Sequence, residues 1–520
     1  MNVFGVRHDS VHVHAAGVLT AMMVILVGQV EAATPTTGLR AGVARVDISD
    51  HTVPVHDPCH ARALVLASGT TRAVIVGVDA VAIGGIGRID ETFLPLVRTR
   101  LQADLGIPPE AILVNASHCH GVVRTDTAEL VIEAVRRAAA ALVPVRAASG
   151  SIDEHGISEN RRLKLVDGSE VDLRRGYSSP PDDRVAAVAP IDPQVGLLRL
   201  DRETGGTLAV VYLFACHPIM NPPWKGSSAD FPGVASALIE ESLGDGAIAL
   251  FMQACGGDIN PVGYKDVAVA PDAEPLGLRL GVAVLRGIRA LEPRPTDDLR
   301  VMASHLDLPR ADDLDHRIER IRADRESLVA GLVPTAIDFK DFLPLLLQHR
   351  IFPDHPSRHA HRYLHEEATR GATLTGHDRE MAKLVEAYLG NVRAMERITR
   401  LNVNLALLEK HRERARATGS PTIEVDMHAL RIGDFKLVTF PGELTAEVGL
   451  AVKRAVDDPR AFVAGYTNGY IFYAPTSAQR GNTGYAQEDC DCALAPRWQA
   501  LFEPRAVGML RGLGAGEGGR

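Results

Sequence analysis

From Ala41 onward, short apolar runs alternate with stretches in which apolar residues recur every three to four positions, the pattern of an α/β fold. Residues 61–68 (ARALVLAS) and 73–84 (AVIVGVDAVAIG) read as early strands, and the second feeds a helical stretch over 88–106 that Gly106 stops. Further strands are predicted at 111–117, 207–215, 247–254, 435–440 and 461–466. Their nearly unbroken apolar character belongs to strands covered on both faces, so the expected fold is one or more mixed sheets flanked by helices. Between about 311 and 417 the pattern changes. Residues 312–332 and 378–417 are long, charged and helical in period, and strands resume afterwards, which predicts a helical insertion or cap. The run FLPLLLQHRIF inside it suits packing between helices or, alternatively, a lipid-like ligand.

The N-terminus reads as an address. Arg7 precedes an uncharged stretch, 15–30, whose apolar part is shorter than the ~20 residues of a membrane span. Val30, Glu31 and Ala32 fit a small-residue cleavage pattern. A secretory signal peptide over 1–32 is therefore expected, with a secreted or periplasmic mature chain and no transmembrane segment. The tail, 512–520, reads as frayed.

Composition narrows the classes. With 520 residues the chain is long enough for about three domains, or for one large domain with insertions; we read 33–520 as one domain. It is 46% apolar and 23% charged, which excludes disorder as the main state. A net charge of −9 without a basic run argues against nucleic acid as a partner. Six cysteines are too few for a disulfide scaffold.

The candidate chemistry lies just beyond the strands. The run at 111–114 leads into Asn115-Ala116-Ser117-His118-Cys119-His120, and that at 207–215 into Cys216-His217-Pro218. The run at 247–254 leads into Cys255-Gly256-Gly257-Asp258-Ile259-Asn260-Pro261, that at 435–440 into Pro441-Gly442-Glu443, and that at 461–466 into Thr467-Asn468-Gly469-Tyr470. Open α/β sheets bind ligands beyond the carboxyl ends of their strands, so five such ends suggest one convergent site. Singly, each piece has a plain structural reading. His118 and His120 suit a polar loop, His217 a strand end, Glu443 the first turn of the next helix, and Tyr470, Tyr473 and Tyr485 aromatic packing. Together, neutral imidazoles and a carboxylate match the ligands of catalytic zinc. Asp79 and Asp258 suit either orientation of the histidines or loop and helix capping, and Asp230, just before Pro232, suits a helix start. Cys119 and Cys216 read as buried thiols, and His355, His359, His361 and His365 as surface histidines.

At these motifs the sequence resembles the neutral/alkaline ceramidase family, secreted or membrane-exposed zinc amidases. Ser117-His118-Cys119-His120, Asn160-Arg161, Phe214-Ala215-Cys216-His217-Pro218, Pro441-Gly442-Glu443 and Asn468-Gly469-Tyr470-Ile471-Phe472-Tyr473 stand in the family's order, and Tyr485 falls on a later family tyrosine. The resemblance implies one zinc held by His118, His217, Glu443 and Tyr473. It puts His120 beside the reacting water, and Arg161 and Tyr485 on the substrate's carbonyl or polar head. Two departures stand out: Asn260 replaces a serine discussed in the family as a nucleophile, and the family's C-terminal β-sandwich has no counterpart before the chain ends. The expectation is a secreted zinc hydrolase of an N-acyl amide, ceramide or a similar lipid. The alternatives are the same site acting on an ester, lactone or glycan-linked group, and a non-catalytic binding protein on this fold. The expected partner is a small-molecule or lipid substrate; oligomeric state is not legible.

Overall fold

The computed structural model describes residues 38–514, apart from 174–179, 222–224, 265, 267, 269, 358–360, 370 and 372. The signal-peptide expectation, His359 and the end of the tail lie outside the described residues.

The first half of the chain builds one large mixed sheet. Its elements are β1 (Arg40–Asp47), β2 (His60–Ser68), β3 (Thr71–Val78), α1 (Phe93–Leu105), β4 (Ile112–Ala116), α2 (Thr127–Ala140) and β5 (Val143–Asp153). Short strands follow: β6 (Ser158–Asn160), β7 (Arg162–Leu165), β8 (Glu170–Asp172) and β9 (Val185–Val188). Then come β10 (Gln194–Arg202), β11 (Thr207–Phe214), α3 (Asp230–Leu243), β12 (Ile248–Gln253), β13 (Ile259–Pro261), α4 (Glu274–Arg289) and β14 (Arg294–Pro295). The strand order is β12-β11-β10-β5-β1-β2-β3-β4, with β14 on β5. β2 and β3 form a tight hairpin whose turn begins with Gly69 at φ +55°, a conformation that costs glycine nothing.

A second sheet, β15-β16-β17-β19, comes from β15 (Leu299–Pro309), β16 (Thr422–Ile432), β17 (Phe435–Thr439) and β19 (Ala461–Ala464). Around it lie β18 (Glu443–Leu444), α9 (Ala446–Val456), β20 (Tyr473–Ala474), α10 (Ser477–Arg480), α11 (Gln487–Cys490) and α12 (Trp498–Gly512). The side-chain period of two explains the layering. Ala63 and Val65 of β2 face Val97 and Leu101 of α1 and Val131 and Val135 of α2. Leu64 and Leu66 point the other way, into a core shared with Leu430, Phe435 and Phe462 of the second sheet. That sheet's outer face is closed by Val448 and Val452 of α9 and Trp498 and Phe502 of α12. The order of layers is helix, sheet, sheet, helix, and the predicted strands are apolar throughout because both their faces are buried.

β15 and β16 pair antiparallel from Leu299↔Ile432 to Pro309↔Thr422. Between these adjoining ends run four helices, α5 (Leu314–Ala330), α6 (Phe339–Ile351), α7 (His361–Thr369) and α8 (Thr373–Thr418). α8 has 46 residues, about 69 Å at the helical rise. Among the described residues no helix is long and apolar enough to cross a membrane. All six cysteines are buried free thiols, Cys119 and Cys216 included.

Candidate metal centre

Three parallel pairs aim their carboxyl ends at one place: β3/β4 ending at Val78↔Ala116, β11/β12 at Phe214↔Gln253, and β17/β19 at Thr439↔Ala464. Asn115 joins them. Its Nδ2 donates to the Gly465 carbonyl (2.9 Å) and to Thr467 Oγ1 (2.9 Å), and its Oδ1 accepts from the Gln253 amide (2.8 Å). The site is therefore built on rigid strand ends rather than on a free loop.

Beyond β4 the chain turns sharply: His118 takes φ +67°, a left-handed conformation that a non-glycine residue holds only where its surroundings enforce it. The Ala80 carbonyl accepts from the His118 amide at 2.9 Å, and the Val81 carbonyl faces its Nδ1 at 2.6 Å. His217, beyond β11, meets the Ile259 carbonyl with both its amide (3.0 Å) and its Nδ1 (2.9 Å). A carbonyl only accepts, so each Nδ1 carries a hydrogen, and the tautomer this selects in the neutral ring presents Nε2 as the donor atom for a metal. The Nε2 atoms turn onto one oxygen, Glu443 Oε2, at 3.4 Å from His118 and 3.1 Å from His217.

All three side chains are at most 2% exposed. Burial, then the charge of Arg161, pushes His217 down to about 4, so its ring is neutral at physiological pH. Burial alone would raise Glu443, but His118, His217 and the Tyr470 hydroxyl outweigh it and hold the carboxyl well below its ordinary range. Tyr466 donates to Oε2 at 3.1 Å and Tyr470 to Oε1. Two imidazoles oriented by backbone carbonyls, with a carboxylate oriented by two phenols, form a donor set that fits zinc. The three ligand atoms lie within 4.8 Å of one another.

The other expected residues fall at different distances from this cluster. His120 is half-buried, its ring 5.1 Å from that of His118 and edge-on to it. Tyr473 is paired with Glu443 in the β18/β20 register, and its hydroxyl accepts from Arg161 Nη2 at 3.2 Å. Arg161 is buried and also donates to Glu488 Oε1 (2.6 Å), Asn260 Oδ1 (3.1 Å) and the Gly257 carbonyl (2.6 Å). These four bonds use four of its five N–H groups. Tyr485 lies among residues of the inserted helices: its hydroxyl donates to Asp324 (2.9 Å) and accepts from Arg320 (2.7 Å), both on α5. Asp79 accepts from Arg62 (2.9 Å) and the His60 amide (2.8 Å). Asp258 accepts from Asn160 (3.1 Å) and from the Ala446 amide (2.8 Å) at the start of α9, close behind Glu443. Asp230 opens α3 at φ +56° and accepts from the amides of Asn221 and Phe231, both 2.7 Å. His361 and His365 are exposed on α7, and His355 lies against the Tyr363 ring.

Tyr466 and Asn115 are the residues that motif reading passed over. The signal for Tyr466 is a tyrosine straight after glycine at a strand end; nothing in the sequence marks Asn115 apart from its neighbours. A second grouping, His305, Asp307 and Glu424, lies exposed on the β15/β16 ladder, where His305 faces Asp307 (3.4 Å) and Asp426 (3.2 Å) as in an ordinary surface ion pair.

Fold and site together define an α/β protein with a buried His-His-Glu cluster suited to a divalent cation. Among solved structures the chain is similar to the neutral ceramidase of Pseudomonas aeruginosa, with a TM-score of 0.57 and 18% identity over 92% of this chain and 75% of that one. It is also similar to a ceramidase complexed with C2, at TM-score 0.55 and 17% identity with the same coverage. The fold is thus similar to that of neutral ceramidase. No family model and no curated protein sequence matches the chain.

Proposed function

We propose that this protein is a zinc-dependent hydrolase of N-acyl amides, with ceramide or a similar lipid amide as the substrate class. The observation that carries the reading is the pair of imidazoles, each fixed through Nδ1 to a backbone carbonyl, with both Nε2 atoms converging on Glu443. The likeness in fold to ceramidases supports amide hydrolysis over the ester, lactone or glycan alternatives.

His118, His217, Glu443 and Tyr473 would hold one zinc ion. When bound, zinc supplies a Lewis acid and makes a water molecule acidic near neutral pH. The chain's own residues do the rest. His120, at the edge of the cluster, takes the proton from the attacking water and returns it to the leaving amine. The remaining N–H of Arg161 donates to the scissile carbonyl as negative charge develops on its oxygen. Glu488 keeps the guanidinium in place for that role. Tyr485, held by Arg320 and Asp324, forms part of the wall for the substrate's polar head. Asn260 occupies the position of the family serine and accepts from Arg161, so the reading needs no serine nucleophile. Asp79, Asp230 and Asp258 are structural. In this reading residues 1–32 direct export and are removed, and 33–520 form one hydrolase domain carrying the helical insertion.

The test is the metal content of purified protein, wild type beside His217→Ala and Glu443→Ala, followed by turnover of an N-acyl sphingosine. About one zinc per chain, lost in both variants together with amide cleavage, is the expected result. A metal-free, folded wild type overturns it.

A further inference from the structure

Helix α6 carries an apolar stripe that faces away from the protein. Phe342 is its buried residue, with a ring stacked 4.4 Å from that of Tyr388 on α8, so the side of α6 that meets the rest of the chain is settled. On the other side Phe339, Leu343, Leu347 and Ile351 follow at intervals of four, with exposures of 61, 43, 51 and 63%, and Phe352, just past the helix end, is 61% exposed. At about 100° per residue the four helical positions fill a sector of roughly 120°. A fold that buries leucines throughout two sheets does not leave such a row outside by chance of composition; packing between helices, the plainer expectation for FLPLLLQHRIF, involves only the Phe342 side.

Charge selects the occupant. The same helical turn places both exposed cations of α6, Lys340 and Arg350, inside the apolar sector, about 100° and 20° round from Phe339. Asp341 falls on the opposite side, and Asp338 caps the helix by accepting from the amides of Lys340 (2.8 Å) and Asp341 (3.1 Å). Neither cation forms an ion pair among the described residues. Apolar side chains with cations at both ends of one face match a lipid surface, where the chains enter the acyl boundary and the cations reach up to phosphates. A second copy of this chain fits poorly. Lys340 and Arg350 lie equally far from Leu345, so stripe-to-stripe pairing about a two-fold axis sets Lys340 of each copy against Arg350 of the other.

We propose that the outer face of α6 docks the protein onto an anionic phospholipid surface. Docking needs neither zinc nor turnover, so it stands or falls apart from the hydrolytic reading.

The experiment is co-sedimentation of the full chain with vesicles of phosphatidylcholine alone and of phosphatidylcholine mixed with phosphatidylglycerol. Wild type should pellet with the mixed vesicles and much less with the neutral ones. Leu343→Asp with Leu347→Asp should abolish pelleting, and Lys340→Glu with Arg350→Glu should weaken it roughly thirty-fold or more and remove its salt dependence. All four side chains are exposed, so both double variants should melt as wild type does. The proposal is overturned if wild type stays in solution with the mixed vesicles, if it pellets equally with neutral ones, or if both double variants pellet like wild type. It is also overturned if sedimentation equilibrium shows a dimer that the leucine variants dissolve.

Discussion

The metal-centre region and the helical arm obey opposite rules. At the centre, His118, His217, Glu443, Arg161, Tyr466 and Tyr473 are buried to within a few per cent, and each is held by a named polar partner. In the arm, α6 buries one residue and α7 none, while leucines and a phenylalanine face outward. The two regions meet through an apolar cluster of Ile318, Leu405 and Leu408 with Tyr485 and Cys490, and through polar contacts: Arg317 donates to the Asp489 carbonyl (2.8 Å), Asn404 to the Tyr485 carbonyl (2.6 Å), and His411 faces Asp491 (2.7 Å). Where polar groups are inside, they are fixed by geometry and suited to chemistry; where apolar groups are outside, they await something to cover them. Residue type alone tells neither story.

Four substitutions can break or sharpen this contrast. The largest effect is expected from Glu443→Ala, which removes the one oxygen facing both imidazoles: turnover should fall by ~10³-fold or more, and bound metal should disappear from elemental analysis. Retained metal would mean that the buried cluster is packing, like the rest of the core. Next, Arg161→Ala leaves Glu488 with Arg162 as its one remaining cationic partner, and should cost about 3–5 kcal/mol in urea unfolding, the price of breaking a buried pair. Asn404→Ala, at the junction, should cost about 1–2 kcal/mol and open α8 to limited proteolysis before the sheets unfold. Equal losses for Arg161 and Asn404 would make arm and core one cooperative unit.

The fourth substitution concerns pH. Burial pushes Asp230 up to about 7, well above its unfolded value. Between those two values the folded chain binds the extra proton, so this group's contribution to stability is complete below the unfolded pKa and is lost as pH rises towards 7. Asp230→Asn should remove that slope from a series of denaturation midpoints taken from pH 4 to pH 8; an unchanged slope would assign it to another group.

The sequence was readable where a strand is covered on both faces and then stops at a reactive side chain. AILV before Ser117-His118, and VVYLFA before Cys216-His217, are legible because continuous burial and an abrupt polar end leave few other structures. β1, β5, β15 and β16 escaped because arginine, serine and aspartate interrupt their apolar positions, and their identity as strands comes from long-range pairing. The cluster's ligand types were legible too. Tyr466 and Tyr470 on Glu443 were not, since a buried tyrosine in a packed core and one aimed at a carboxylate look alike until the chain is folded. Tyr485 shows the reverse case: its place in a motif gave no sign that α5 would take up its hydroxyl.

The Asn115 junction also has a kinetic side. Asn115 needs Gly465 and Thr467, and His118 and His217 need Glu443, yet β15 must wait for β16 until the whole helical arm has been synthesised. Such long-range closure is slow. The early sheet therefore stays open at its most chemically active edge until the last third of the chain arrives, and a bound metal ion would report that the polypeptide has finished folding.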